Sequence, residues 1–284
     1  MEGNNDMNNF VKSPLNYTGG KFKLLDEIIP LFPKHIDTFC DIFAGGFNVG
    51  VNVEAKRVIY NDIENHVVGL MEYLKQTDVE VLLEQIDSII SKYNLSKDNA
   101  DGFANLRNAY NAGDDSPIMF YTMICYAFNY QIRFNSNGKY NMPFGKNRSS
   151  FNPALRQKFI AFVNALHNKD CTFINLQFKD FDYLSVNPED FVYCDPPYFN
   201  SVAAYNENGG WSENDEKELL NILDSLNDRG IRFALSNNLK YENPLLDKWK
   251  DKYFVHYLNG DYSNCNYHKL DRSRDIEVLI TNYK

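Results

Sequence analysis

The tetrapeptide Asp195-Pro196-Pro197-Tyr198 follows directly on an apolar run, Phe191-Val192-Tyr193-Cys194. Two consecutive prolines have no N–H to donate and cannot extend a sheet ladder, so a strand ends there. Left at the strand end are a carboxylate, a main-chain carbonyl and a flat ring. That set suits an exocyclic aromatic amine, whose lone pair is delocalised into its ring. Asp195 and the Pro196 carbonyl, each accepting one N–H, would pull the nitrogen toward tetrahedral geometry and free the lone pair for in-line attack on a methyl sulfonium. Tyr198 offers a face for a flipped base to stack on. No metal and no strong general base is needed. A proline-stiffened turn that caps the strand is the plain alternative.

Three further groups bear on that choice. Asp41-Ile42-Phe43-Ala44-Gly45-Gly46 puts glycines where a strand meets a turn, so a ligand can approach the backbone closely; an ordinary tight turn would look alike. Asp62 lies 21 residues beyond Asp41, at the end of the next apolar run, where an acid can accept from both hydroxyls of a ribose. Together they favour a cofactor that contains adenosine. Tyr17-Thr18-Gly19-Gly20-Lys21 resembles a phosphate site but lacks P-loop spacing, so the lysine is free to meet a carboxylate, such as that of an amino-acid-bearing cofactor.

The net charge of −9 speaks against a general nucleic-acid binder, yet between Asn129 and Lys158 there are six basic residues (Arg133, Lys139, Lys146, Arg148, Arg156, Lys158) and no acid. Aromatics and asparagines are interleaved with them, a mix that suits phosphate and base contacts. The five cysteines are scattered without a CxxC pair, as expected of buried thiols in a reducing cytoplasm, and no metal site is implied. No apolar run is long enough for a membrane span and no export signal is read at the N-terminus.

The elements that must position these groups follow from periodicity. Strands are predicted at 36–43, 57–61, 171–175, 191–194, 231–237, 253–258 and 277–283, the last two as a possible antiparallel edge pair. A helix is predicted over FKLLDEIIPLF, another is expected to start near Asn48, and helical periodicity runs through 65–93. Ser116-Pro117, Asn152-Pro153 and Ser212 read as helix starts, and Gly230 as a stop. The fold class is α/β: a doubly wound, Rossmann-like, mostly parallel sheet with an antiparallel edge strand and an inserted helical unit. The expected division is a catalytic part over 1–65, the insertion over 66–152 with the basic loop at its end, and the second catalytic part over 153–284. Residues 199–211 read as a lid.

The order Tyr-Thr-Gly-Gly-Lys, the FCDIFAGG turn, Asn-Asp, a helical insertion ending in NMPFGK, and DPPY resembles the Dam-type (D12 class) DNA adenine-N6 methyltransferases, the phage enzymes most of all, from about Pro14 onward. The resemblance implies S-adenosylmethionine bound at Tyr17, Gly20, Lys21, Asp41, Phe43, Gly45, Asp62, Phe178 and Asp195, with catalysis at Asp195, Pro196, Pro197 and Tyr198. It makes the insertion a target-recognition domain that contacts double-stranded DNA through Gln131, Arg133, Asn135, Pro143, Lys146 and Arg148, with Tyr205 from the lid. It implies GATC as the target, no metal, a monomer or weak dimer on DNA, cytoplasmic action, and a possible cognate restriction endonuclease. Family members often follow Pro-Phe-Gly-Lys with a basic residue, whereas here Asn147 precedes Arg148. RNA adenine is a second substrate class that the same aspartate would serve; protein glutamine is disfavoured because enzymes of that kind usually carry Asn at the Asp195 position. A non-catalytic DNA-binding protein on a decayed scaffold is disfavoured by the intact Asp195, Pro196 and Tyr198.

Overall fold

The computed structural model describes residues 10–200, 210–258 and 276–284. Seven strands form one sheet: β1 (Thr38–Asp41), β2 (Arg57–Asn61), β3 (Cys171–Ile174), β4 (Phe191–Cys194), β5 (Arg232–Asn238), β6 (Phe254–Tyr257) and β7 (Glu277–Thr281). Their order is β3-β2-β1-β4-β5-β7-β6. The first five are parallel, while β7 runs antiparallel to both β5 and β6. This is the doubly wound, mostly parallel sheet expected, with the order reversing between β1 and β4. In such sheets the crevice beyond the carboxyl ends of the strands, at the reversal, is where ligands bind.

Alternation along the strands sends side chains to two cores. Phe39, Phe191 and Tyr193 face one layer of helices; Cys40, Val192 and Cys194 face the other. The first layer contains α2 (Asn65–Gln76), α3 (Val79–Lys92), α4 (Ala100–Asn111), α5 (Pro117–Tyr126) and α6 (Pro153–His167). Among them α5 is buried from Ile118 to Tyr126, which explains why its sequence is apolar on every side. The starts at Ser116 and Asn152 are true caps, their side chains accepting from Met119 N and Leu155 N. The second layer holds α7 (Glu213–Asp228), opened by a capping box between Ser212 and Asp215, and α8 (Pro244–Trp249).

Two expected helices differ. FKLLDEIIPLF keeps only one α-helical turn, α1 (Leu25–Ile28), between 3₁₀ turns, because Pro30 has no N–H to continue the ladder. No helix starts near Asn48. Residues 44–53 form successive turns around Phe47, which takes a left-handed φ of 62° and packs edge-on against the Tyr60 ring at 5.0 Å. The β-branched Val49, Val51 and Val53 then bury themselves without helical spacing.

Candidate active site

The strand ends meet at one cleft. Asp41 ends β1, Asp62 follows β2, and Asp195 follows β4. A cavity of about 890 Å³ is lined by all three, with Tyr17, Gly20, Lys21, Phe43, Gly45 and Pro196 to Tyr198. It adjoins a second cavity of about 480 Å³ that shares Tyr17, Phe43, Asp62 and Pro197 and adds Phe178. The structure therefore brings together every residue expected to hold the cofactor and the whole Asp-Pro-Pro-Tyr tetrad.

Each carboxylate has its own setting. Asp62 accepts from Gly45 N at 2.8 Å and Glu64 N at 2.9 Å, so it ties the glycine turn to the end of β2. Burial pushes it up to about 6, against the pull of those backbone donors. Asp41 is buried with Oδ1 lacking a partner among the described residues, and burial, followed by the charges of Asp195 and Asp62, holds its carboxyl well above the usual range. Asp195 meets Lys21 through both oxygens, Oδ1 at 2.7 Å and Oδ2 at 2.8 Å. Burial pushes Asp195 up to about 6, and Lys21 opposes that rise. The carboxylate that Lys21 meets is thus inside the chain; the same ammonium also donates to Gly19 O and lies 5.1 Å from the Tyr198 ring centre.

These residues fit a nucleoside cofactor with an amino-acid tail. An orphaned, buried Asp41 oxygen at the cavity wall is an acceptor in want of a donor. Gly45 has φ of 47°, and a Cβ there would come within 2.8 Å of the Tyr17 ring, so the cradle is built on the absence of a side chain. Phe43, Phe178 and Trp211 form a cluster with ring centres 5.2 to 5.7 Å apart, an apolar wall for a purine.

Of the DNA-contact set, Arg133 lines the smaller cavity with Pro197 and Phe43. Asn141 holds it, accepting from Nε at 2.8 Å through Oδ1 and from Nη2 at 3.2 Å through its backbone carbonyl. Asn135 spends its side-chain oxygen on its own turn, accepting from Asn137 N and Lys139 N, so only its amide group is left for a base. Pro143, Lys146 and Arg148 are exposed and Gln131 is half-buried. Asn147 takes φ of 61°, and its N–H reaches Lys97 O; a left-handed residue is required between Lys146 and Arg148, and Asn tolerates that better than a long basic side chain. Tyr205 and most of the expected lid lie outside the described residues.

A family model for D12 class N6 adenine-specific DNA methyltransferases matches residues 17–275. The chain belongs to that family. It is 48% identical to the type II methyltransferase M.FokI of Planomicrobium okeanokoites over 288 residues, 99% of this chain and 44% of that protein. It is 41% identical to the modification methylase StsI of Streptococcus sanguinis, over 97% of this chain and 43% of that protein. It thus spans less than half the length of these two relatives. It is 25% identical to the DNA adenine methylase of Escherichia coli (strain K12) over 85% of each chain.

Within this D12 member, several site residues escaped the sequence reading. Trp211 completes the aromatic wall because Glu216, buried on α7, accepts from its indole N–H at 2.6 Å and from Asn243 Nδ2 at 2.7 Å. Its only signal was its place just before the Ser212 cap. Asn238 and Glu277 line the larger cavity from the ends of β5 and β7. Both sit at strand ends that the sequence does not place beside Tyr198.

Proposed function

We propose that the chain transfers a methyl group from S-adenosylmethionine to N6 of adenine in double-stranded DNA. The observation that carries this reading is the convergence of Asp195 and Tyr198 with Asp41, Asp62 and the Phe43–Phe178–Trp211 wall in one continuous cleft at the sheet's reversal. Asp62 would take the ribose hydroxyls, Asp41 the ammonium group of the amino-acid tail, and the aromatic wall the adenine ring. The bound cofactor supplies an electrophilic methyl on a sulfonium.

The chain's own residues then hold the substrate. A target adenine turned out of the duplex stacks on Tyr198 and presents its amino group to Asp195 and the Pro196 carbonyl. In reaching Asp195 it competes with the Lys21 ammonium, which already covers both oxygens and the Tyr198 face. Asp195 must be ionised to accept, and it orients the nitrogen while the proton leaves after transfer. Arg133 stands beside the cleft to read a base edge, and the exposed Lys146 and Arg148 meet phosphates. The four cations of the loop between α5 and α6 (Arg133, Lys139, Lys146 and Arg148) suit a nucleic acid, and the family's DNA-methylating description favours duplex DNA over RNA.

The Dam resemblance makes GATC the first target to test, and the names of the type II relatives support a modification role beside a cognate endonuclease. The chain is incubated with labelled S-adenosylmethionine and duplexes of varied sequence. Label on adenine N6 is expected, and modified-base sequencing gives the site. Cofactor binding without label on any DNA would end the proposal.

A further inference from the structure

Strand direction explains where Glu277 sits. Because β7 is antiparallel to β5, its first residue lies beside the carboxyl ends of the parallel strands, where the cleft is. In the ladder Glu277 stands opposite Asn238, the last residue of β5. Its carboxylate divides between two tasks. Oε1 accepts from Asn238 Nδ2 at 2.9 Å, and Oε2 accepts from the Tyr198 hydroxyl at 2.9 Å. Asn238 is itself fixed, its Oδ1 accepting from Ile276 N and Lys240 N. A strand-to-strand clamp would need only the first of these bonds. The second reaches out of the sheet to the ring that follows the two prolines.

We propose that Glu277 is a positioning residue for the target base: by gripping the hydroxyl of Tyr198 it fixes the far end of that ring, and so where the slot lies into which the adenine slides. The inference rests on the methyl-transfer reading above and adds a residue to it. The prolines restrain the backbone but leave the Tyr198 side chain free to swing about χ1, which carries its hydroxyl through an arc, and a hydroxyl held at its far end removes that swing. Burial, with the charges of Asp195 and Glu277, holds the phenol well above its usual range, so Tyr198 stays a neutral donor to Glu277. Asp195 faces Lys21 from the N-terminal turn, Asp41 from β1, Glu277 from β7, and Tyr193 and Tyr198 from its own segment. Among these, Lys21 favours the ionised carboxylate and Glu277 disfavours it.

Glu277→Gln keeps an acceptor oxygen and removes the charge; Glu277→Ala removes both. Wild type and both variants are compared by steady-state methylation across pH, calorimetric cofactor binding, 2-aminopurine emission with the probe at the target position, and thermal melting. For Glu277→Ala, kcat is expected to fall about 10- to 100-fold, as misplacement of a reacting group by about 1 Å does. Cofactor affinity should hold, and 2-aminopurine should brighten as stacking on Tyr198 loosens. Glu277→Gln should stay within about threefold of wild type, since its amide oxygen can accept from Asn238 while its amide N–H donates to the Tyr198 hydroxyl oxygen. In both variants the acid limb of kcat should move to lower pH, because a negative neighbour of Asp195 is gone. Glu277→Ala within about twofold of wild type, or with unchanged 2-aminopurine emission, overturns the inference; Tyr198→Phe, which keeps the ring and loses the same bond, should brighten the probe likewise and decides if the alanine variant does not fold. Wild type that binds cofactor yet labels no DNA overturns the methyl-transfer reading instead.

Discussion

In the cleft at the strand ends, Asp41 and Asp62 are buried and Asp195 is largely so, and burial drives all three carboxyls upward. In the loop after α5, Lys139, Lys146 and Arg148 stand in solvent on turns shaped by Asn135 and the left-handed Asn147. The cleft is preorganised through side chains, each oxygen committed or waiting. The loop is preorganised through its backbone, and its cations point into solvent. On the proposed function, the difference follows from the work. Bond-making needs low dielectric and fixed partners, where a misplaced charge costs most, whereas phosphate contacts are additive, screened and tolerant of slack. Arg133 belongs to both regions, facing the cleft but carried by the loop and braced by Asn141.

The contrast predicts a steep gradient of mutational effects. Asp195→Ala should abolish methyl transfer, a loss of at least about 10³-fold in kcat, while calorimetry finds cofactor binding at most weakened; retained turnover would mean that the cleft is not where the chemistry occurs. Lys21→Met tests the electrostatics. Wild-type kcat should fall as pH drops through about 6, the value to which Asp195 is raised, because only the ionised form accepts N–H bonds. Lys21 lowers that value, so its removal should shift the acid limb to higher pH and cost about 10-fold or more at pH 7, seen in a single-turnover pH series. An unshifted limb would assign the titration to another group.

Smaller effects separate the loop from the cleft. Arg133→Ala should relax base preference by about 1–3 kcal/mol at one position of the target, measured as a ratio of kcat/KM on matched and mismatched duplexes. Equal loss on every sequence would make Arg133 a phosphate contact. Trp211→Ala should weaken cofactor binding by about 1 kcal/mol without changing target preference. Lys146→Ala should weaken all duplexes alike and reduce the salt slope of binding by about 1; a sequence-dependent loss there would erase the line between the two regions.

Much of this was legible beforehand because it is local. Asp195-Pro196-Pro197-Tyr198 announces a strand end by its missing donors, the Ser116, Asn152 and Ser212 caps announce helix starts, and β2 was read with its observed bounds, Arg57–Asn61. The misses have physical causes too. Around Asn48 a helix is expected from the strand–turn–helix pattern, but Phe47 to Val53 is built of poor helix formers, and Phe47 buries against Tyr60 in a left-handed turn. Lys21 seemed placed for a ligand's carboxylate, and only the fold reveals Asp195, 174 residues away, within reach.

The amino-acid sequence by itself determined the strand-and-turn grammar, the acids at strand ends, the aromatic and basic inventory, and the order of motifs that marks the family. All of these depend on neighbours within a few residues, where backbone sterics and donor counts decide. The tertiary structure alone decided which charges face one another, which rings share a wall, and which strand brings Glu277 to Tyr198. Those outcomes depend on sheet order and strand direction, which are settled by the burial of the whole core rather than by any one segment.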